Sequence, residues 1–165
     1  MAAITKCCFV TIICALHFGA ILGSQEVMLN LSKGFKTVVG QCAAEVKIGD
    51  HIYEDFKNYW REDYQLLNRD FGCMVVCMAS KLDLITEDTK LLHHDNAHEF
   101  AKTHGADDDT ARQLVTIVKD CEAVNTQEDH CMRMLEVSKC FRTKIHELKW
   151  APPMELLMEE IMATA

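Results

Sequence analysis

The sequence predicts an all-helical protein, a compact bundle of about six helices held by three disulfides. Apolar residues recur at the three-to-four-residue spacing of an amphipathic helix through nearly the whole chain. Long alternating stretches and Asn-Gly or Gly-Gly pairs, which signal strands and hairpins, do not occur in the sequence. Six of the nine cysteines lie beyond an apolar N-terminal segment, and an even number is typical of a disulfide-bonded extracellular domain.

Length and charge limit the classes of function that fit. A chain of 165 residues supports one domain, and 49% apolar residues are enough to form a hydrophobic core. The formal net charge is −8, with 17 Lys and Arg against 25 Asp and Glu. No block of basic residues is present, so the sequence predicts no nucleic-acid partner and no electrostatic binding to an anionic membrane.

Residues 1–23 have the pattern of a secretory signal peptide. Lys6 is the only charge, and a nearly unbroken apolar run of 16 residues, 7–22, follows it. As a helix this run would span about 24 Å, less than the roughly 30 Å hydrocarbon core, which argues against a membrane anchor. We expect cleavage after Gly23, which leaves residues 24–165 as a single secreted domain.

Caps and turn residues divide this domain into six helical segments. Gly34 and Gly40 are expected to interrupt the first, and Asp50 is the expected N-cap of the second. Gly105 ends the fourth, and the acidic run Asp107–Asp109 opens the fifth. The predicted helices cover residues 25–46, 51–60, 69–82, 93–103, 107–124 and 130–147.

The last part of the chain is a separate amphipathic segment. Residues 150–153 carry two prolines that break the chain, so residues 148–165 form a C-terminal tail. Its apolar residues recur at helical spacing, with three glutamates on the other side. These apolar residues are Met154, Leu157, Met158, Ile161 and Met162.

Helix geometry limits how the cysteines pair. Six cysteines allow 15 pairings. Cys73 and Cys77 lie on one helix with their Cβ atoms ~5–6 Å apart, too far for a disulfide, and Cys131 and Cys140 are about 13.5 Å apart along another. Ten pairings remain, and in each of them the third helix is bonded to two other segments. A domain cross-linked in this way can keep an apolar cavity open, and a fully packed core is the alternative.

The cysteine spacing C-x30-C-x3-C-x43-C-x9-C-x8-C resembles the signature of insect odorant-binding proteins. The segments SQEVMLNLS at 24, NRDFGC at 68, LHH-x-NA-x-EFAKTHGAD at 92 and CFRTKIHELKWAP at 140 are similar to lepidopteran pheromone-binding proteins. This resemblance implies a compact bundle of about six helices around an apolar cavity, with a C-terminal segment, that carries long-chain alcohols, aldehydes or acetates through the lymph of antennal sensilla. It also implies the disulfides Cys42–Cys77, Cys73–Cys131 and Cys121–Cys140, and no cofactor.

The resemblance further implies which side chains form the wall of the ligand cavity. At helical spacing an aromatic or methionine side chain is otherwise more often a core residue, and we expect Phe35 and Phe141 to enclose the ligand between their rings. The implied wall residues are Met28, Phe35, Phe56, Tyr59, Trp60, Val75, Ala79, Leu84, Ile85, Phe100, Val115, Val118, Val137 and Phe141.

The polar end of the ligand is not assigned by the resemblance. Family members often carry Ser or Asn on the third helix, at the positions of Val76 and Ala79 here. An unpaired ligand oxygen in a dry cavity costs about 1–3 kcal/mol, so another group is expected to bind it. The indole N–H of Trp60, the hydroxyl of Ser32 and a backbone group are the candidates.

A pH-dependent release follows from the same resemblance. His93 and His94 match a histidine pair at the cavity mouth, and histidine changes charge between pH 5 and 8. Lys119 stands where the family often has a third histidine. In the family the tail enters the cavity at low pH, and Glu155 matches one of its acidic positions, because a carboxylate resists apolar burial until it is protonated.

Other interpretations of the same residues are weaker. His94 and His98 lie four apart, but a metal site needs further ligands, so we expect no metal. No catalytic motif is present and every cysteine after residue 23 has a partner available, so we expect no enzyme. A helical secreted interaction protein, or a general plant-odorant or lipid carrier, is the alternative. The expected partners beyond the ligand are an olfactory receptor or a sensory neuron membrane protein, with the chain a monomer or a weak homodimer.

Overall fold

The computed structural model describes residues 2–47, 49 and 51–154, and the backbone alone for residues 2–22. The described chain is all-helical, as predicted, and its one β feature is an isolated bridge between Ile85 and Leu92. No helix in this described part combines the length and hydropathy that a membrane span requires. The helices are α1 Ala2–Val46, α2 His51–Lys57, α3 Arg69–Lys81, α4 His94–Thr103, α5 Asp108–Val124 and α6 His130–Glu147.

Helix α1 is longer than predicted and is not interrupted. It runs from Ala2 through Gly34 and Gly40 to Val46, so the expected break at the two glycines is wrong. Each glycine costs a helix interior about 1 kcal/mol, which packing can offset. At Gly34 the packing depends on the missing side chain, because a Cβ atom there would lie 2.8 Å from Phe100 Cζ. Cleavage after Gly23 stays a prediction.

Four helices begin at side-chain caps. Asn68, His93, Asp107 and Asp129 each accept a hydrogen bond from a backbone N–H two or three residues further on. The predicted bounds of α3 to α6 therefore agree with the structure to within one residue at each start. Gly105 follows α4 with a φ of 98°, as expected of a helix-ending glycine. The predicted cap Asp50 lies outside the described residues.

Helix α2 ends at Lys57, three residues before its predicted end. The carbonyl groups of the next residues bond to α6 instead of continuing a helix. Arg142 Nη1 donates to the carbonyls of Tyr59 (3.0 Å) and Arg61 (3.3 Å), and His146 Nε2 lies 2.9 Å from the carbonyl of Trp60. The sequence around α2 does not show these partners, which lie more than 80 residues away.

Three disulfides connect the helices, in the pairs that the family resemblance implies. Cys42–Cys77 joins α1 to α3, Cys73–Cys131 joins α3 to α6, and Cys121–Cys140 joins α5 to α6. Helix α3 is therefore bonded to two other helices. A disulfide that closes a loop of tens of residues contributes roughly 3–4 kcal/mol to stability in the chain-entropy model.

Helices α3 and α6 approach each other most closely at Gly72. The Cα atoms of Cys73 and Cys131 are 4.4 Å apart. A Cβ atom on Gly72 would lie 2.9 Å from the carbonyl carbon of Cys131 and 3.0 Å from the backbone nitrogen of Leu135. These neighbours are backbone atoms, which cannot move aside as a flexible side chain would.

Buried side chains form three clusters. The first joins α1, α4, α5 and α6 around Met28, Trp60 and Ile145. The second joins the C-terminal half of α1 to α2 and α3. The third, around Ala79, Leu84 and Ile85, lies between the end of α3 and α4.

Replacing Gly72 by Ala is expected to lower the free energy of unfolding by about 3 kcal/mol, the upper part of the usual range for overpacking. Because α3 and α6 must separate to admit the methyl group, the measurement is chemical denaturation with the disulfides intact. Gly40→Ala is the matched control. Nothing lies within 4 Å of its added Cβ atom, and alanine in a helix interior should raise stability by about 1 kcal/mol. Equal effects of the two substitutions would contradict the close approach.

Candidate functional site

The implied wall residues lie in or against the three buried clusters, with one exception. Val115 is half-buried on α5 and belongs to none of the three clusters found among the described residues. Phe35 packs against the second and third clusters, and Tyr59 against the first and second, so these two rings connect neighbouring clusters. The fully buried members of the wall are Met28, Trp60, Ala79, Leu84, Ile85 and Val137.

Aromatic rings meet in pairs along this wall. Phe35 and Phe100 are edge-to-face with centroids 5.6 Å apart, and Trp60 and Phe141 lie 6.4 Å apart. Tyr59 stacks on Phe71 at 5.8 Å. Phe35 and Phe141 thus each have another ring as a neighbour, and their enclosing of a ligand stays a prediction.

Trp60 and Tyr59 are the two implied wall residues whose side chains donate hydrogen bonds. The indole Nε1–H of Trp60 donates to Ser32 Oγ at 3.2 Å, and Ser32 Oγ donates to the carbonyl of Met28, one turn earlier on α1, at 2.9 Å. Trp60 is 6% exposed and Met28 is 2% exposed. Both side-chain candidates for the polar anchor are therefore hydrogen-bonded to each other.

Tyr59 connects the segment after α2 to α6. Its phenol O–H donates to the carbonyl of Ser138 at 2.9 Å, and Arg142 lies 6.0 Å from its ring centroid. Burial raises the pKa of the Tyr59 phenol well above its usual range, and the nearby positive charge of Arg142 partly opposes the rise. The phenol therefore acts as a hydrogen-bond donor at any physiological pH.

His93 and His94, the two histidines expected at the mouth of the cavity, have different environments. His93 is half-buried, and its Nδ1 accepts from Asn96 N at 3.4 Å as the cap of α4. His94 is exposed. An acceptor nitrogen has to be unprotonated, so protonation at Nδ1 of His93 would remove this cap. Glu155, the third residue of the expected switch, lies outside the described residues, and Lys119 is exposed.

Residues 86–92 form the loop before this histidine pair, and two side chains from other helices hold its backbone. Glu122 Oε1 on α5 accepts from the backbone N–H of Leu92 at 2.8 Å. Arg133 on α6 donates from Nη2 to the carbonyl of Thr89. Burial raises the pKa of the Glu122 carboxyl, while the Leu92 N–H and the positive charges of Arg133 and His94 lower it by less.

Two depressions on the surface are lined by other residues. One of about 490 Å³ lies between α1 and the end of α4, and one of about 350 Å³ lies beside Trp150. Polar side chains such as Asn30, Thr37 and His104 line the larger one. None of the implied wall residues lines either depression. Within the described ranges no group of three His, Cys, Asp or Glu side chains is arranged to hold a metal ion.

The described part of the chain is all-helical, its helices are joined by three disulfides, and the aromatic rings among the implied wall residues meet in pairs. Aromatic and aliphatic side chains with few polar groups are the usual lining of sites for small hydrophobic molecules.

The chain belongs to the PBP/GOBP family, whose model matches residues 24–144. Pheromone-binding protein 2 of Epiphyas postvittana is 39% identical over 92% of each chain, and general odorant-binding protein 1 of Antheraea pernyi is 32% identical over 86% of this chain and 85% of that one. The crystal structure of Epiphyas postvittana pheromone-binding protein 3 superposes with a TM-score of 0.64 at 51% identity, covering 70% of this chain and 98% of that one. The chain is therefore a member of a family of binding proteins and not an enzyme, as predicted.

Sequence reasoning missed the residues that act over long range. Glu122, Arg133 and Arg142 all bind backbone groups that lie 30 or more residues away. The sequence offered one signal that these residues have a structural role, their position close to cysteines. Glu122 follows Cys121, and Arg133 lies two residues after Cys131. Arg142 had the same signal, since it lies two residues after Cys140.

Glu122→Gln is expected to raise the melting temperature near pH 7, and the gain should shrink as the pH falls below about 5. Because the pKa of Glu122 is higher in the folded than in the unfolded state, the folded protein binds this proton more readily. The contribution of Glu122 to the stability of the wild type is therefore lost as the pH rises through the folded-state pKa of this group, whereas glutamine keeps the acceptor for Leu92 without a charge.

Thermal melts between pH 4 and 8 provide the measurement. The control is Glu128→Gln, at an exposed position in the turn before α6, which should leave the pH profile unchanged. A Glu122→Gln variant that is less stable than wild type at pH 7 would show that the charge is favourable in the fold.

Proposed function

We propose that this protein is a secreted carrier of small hydrophobic odorants, above all of long-chain alcohols, aldehydes or acetates used as pheromones. The observation that carries the proposal is the apolar wall, built by aromatic side chains at positions that match the family. Its location in sensillum lymph, delivery to an olfactory receptor or sensory neuron membrane protein, and a monomer or weak homodimer are parts of the same proposal.

The energetics of the wall fit a hydrocarbon chain. Burying about a dozen CH₂ groups at ~0.8 kcal/mol each yields roughly 10 kcal/mol, from which association subtracts several kcal/mol. If association costs about 4 kcal/mol, the remaining ~6 kcal/mol corresponds to a dissociation constant of tens of micromolar, before the aromatic contacts of the wall are added. A carrier needs affinity of this order, because it must both hold and release its ligand.

Displacement of a fluorescent lipid probe by C12–C16 alcohols, aldehydes and acetates tests the proposal. Phe35→Ala should weaken binding about tenfold by removing an aromatic face from the wall. Tyr53→Ala is the control, since Tyr53 is 49% exposed on α2 and should not change affinity. No displacement by any compound would contradict the proposal, and hydrolysis of the esters would favour an enzyme instead.

A general plant-odorant carrier is the second candidate. Relatives named general odorant-binding protein 1 are 32% and 31% identical to this chain. Terpenoid and aromatic odorants in the same displacement assay separate the two candidates, because a pheromone carrier should prefer the straight chains.

If the C-terminal tail releases the ligand at low pH, the affinity of a domain with the tail should depend on pH more than that of a domain without it. The domain ending at Ala165 should lose affinity between pH 7 and pH 5, whereas a domain ending at Trp150 should keep it. The reason is that the glutamates of the tail enter an apolar site only when neutral. Ligand titrations at both pH values measure this, with Glu155→Gln as the variant that should shift release to higher pH. An equal loss in both chains would contradict the tail mechanism.

A further inference from the structure

We propose that the Trp60–Ser32 pair binds the polar end of the ligand and selects a primary alcohol over an aldehyde or an acetate of the same chain length. This inference rests on the proposed function and adds to it the chemical class of the ligand. On α3, positions 76 and 79 are Val and Ala, which offer the ligand no hydrogen bond. Of the two polar side chains in the implied wall, Tyr59 donates to a backbone carbonyl, whereas Trp60 donates to a second side chain, the hydroxyl of Ser32.

The indole is held in place from behind. His146 Nε2 lies 2.9 Å from the carbonyl of Trp60, and Arg142 donates to the carbonyls on both sides of it. The adjacent ring of Tyr59 lies 4.8 Å from the indole and is itself bonded to α6. Because the backbone is fixed at three successive carbonyl groups, the indole N–H keeps its direction toward α1 while a ligand binds.

In the Trp60–Ser32 pair both protons are already donated, and only Ser32 Oγ can accept a further hydrogen bond. An indole N–H donates one hydrogen bond and accepts none, whereas a serine hydroxyl donates one and can accept two. The Ser32 proton is used by the carbonyl of Met28 at 2.9 Å. Ser32 Oγ therefore meets a further group only as an acceptor, and its present donor, the Trp60 N–H, is at the longer distance of 3.2 Å.

A primary alcohol fits between the two groups without leaving any of them unpaired. Its oxygen accepts from the Trp60 N–H, and its proton goes to Ser32 Oγ, which still donates to Met28. An aldehyde or acetate accepts from the Trp60 N–H but has no proton to give. Such a ligand takes the donor from Ser32 and leaves the half-buried hydroxyl oxygen without a donor from the protein, which is unfavourable.

Competition binding of tetradecanol, tetradecanal and tetradecyl acetate to the full domain tests the inference. Wild type should bind the alcohol most tightly. Ser32→Ala should weaken the alcohol about tenfold, and should leave the aldehyde and the acetate unchanged or slightly tighter, since the Trp60 N–H then has no partner in the free protein. Trp60→Phe should weaken all three, because each of them accepts from the indole.

Thr116→Val is the matched control. Thr116 also donates to the carbonyl four residues before it, at 2.9 Å, but from the exposed face of α5. This variant should change none of the three affinities. Circular dichroism and thermal melts establish whether each variant folds.

A second measurement needs no substitution at the site. The indole N–H signal of Trp60 in the ¹H–¹⁵N spectrum of wild type, distinguished from Trp150 by the Trp150→Phe variant, should move on addition of the alcohol. An unmoved signal, or Ser32→Ala weakening all three ligands equally, would overturn the inference while leaving the carrier function standing. Absence of binding by all three to wild type would overturn the carrier function, and this inference with it.

Discussion

The backbone contact between α3 and α6 at Gly72 is the constraint from which the rest of the fold follows. Only a residue without a side chain lets the two helices approach so closely. Cys73 bonds α3 to α6 at this contact, and four residues later Cys77 bonds it to α1. Helix α6 in turn fixes the segment after α2 through Arg142 and Tyr59. Covalent bonds and backbone contacts therefore connect the helices that carry the implied wall residues.

Local sequence signals predicted most of the helices, but not that the first continues through Gly34 and Gly40 or that the second ends at Lys57. Caps at His93 and Asp107 and the positive φ of Gly105 are local features, so the bounds of α4 and α5 could be predicted. Tertiary contacts decided the exceptions. Gly34 stays helical because Phe100 packs where its side chain would be, and the carbonyl groups that would extend α2 bond to Arg142 and His146.

For the site, the resemblance implied a set of apolar residues, and all but Val115 lie in or against the buried clusters of the described chain. Their role as the wall of a ligand cavity stays a prediction. The polar contacts could not be predicted in this way. Trp60 and Ser32 were two separate candidates in the sequence, and only the fold shows that one donates to the other. Glu122 and Arg133 bind backbone atoms. Every residue has such atoms, so the sequence does not indicate which backbone group these side chains bind.

The loop of residues 86–92 is held through its backbone, and this affects which substitutions its side chains can undergo. Glu122 and Arg133 bind an N–H and a carbonyl, so the attachment does not depend on which side chains the loop carries. The two helices that supply these residues are joined by Cys121–Cys140 and present their groups as one unit. Substitutions on the loop can therefore alter the chemistry at its outer surface while the backbone keeps its path.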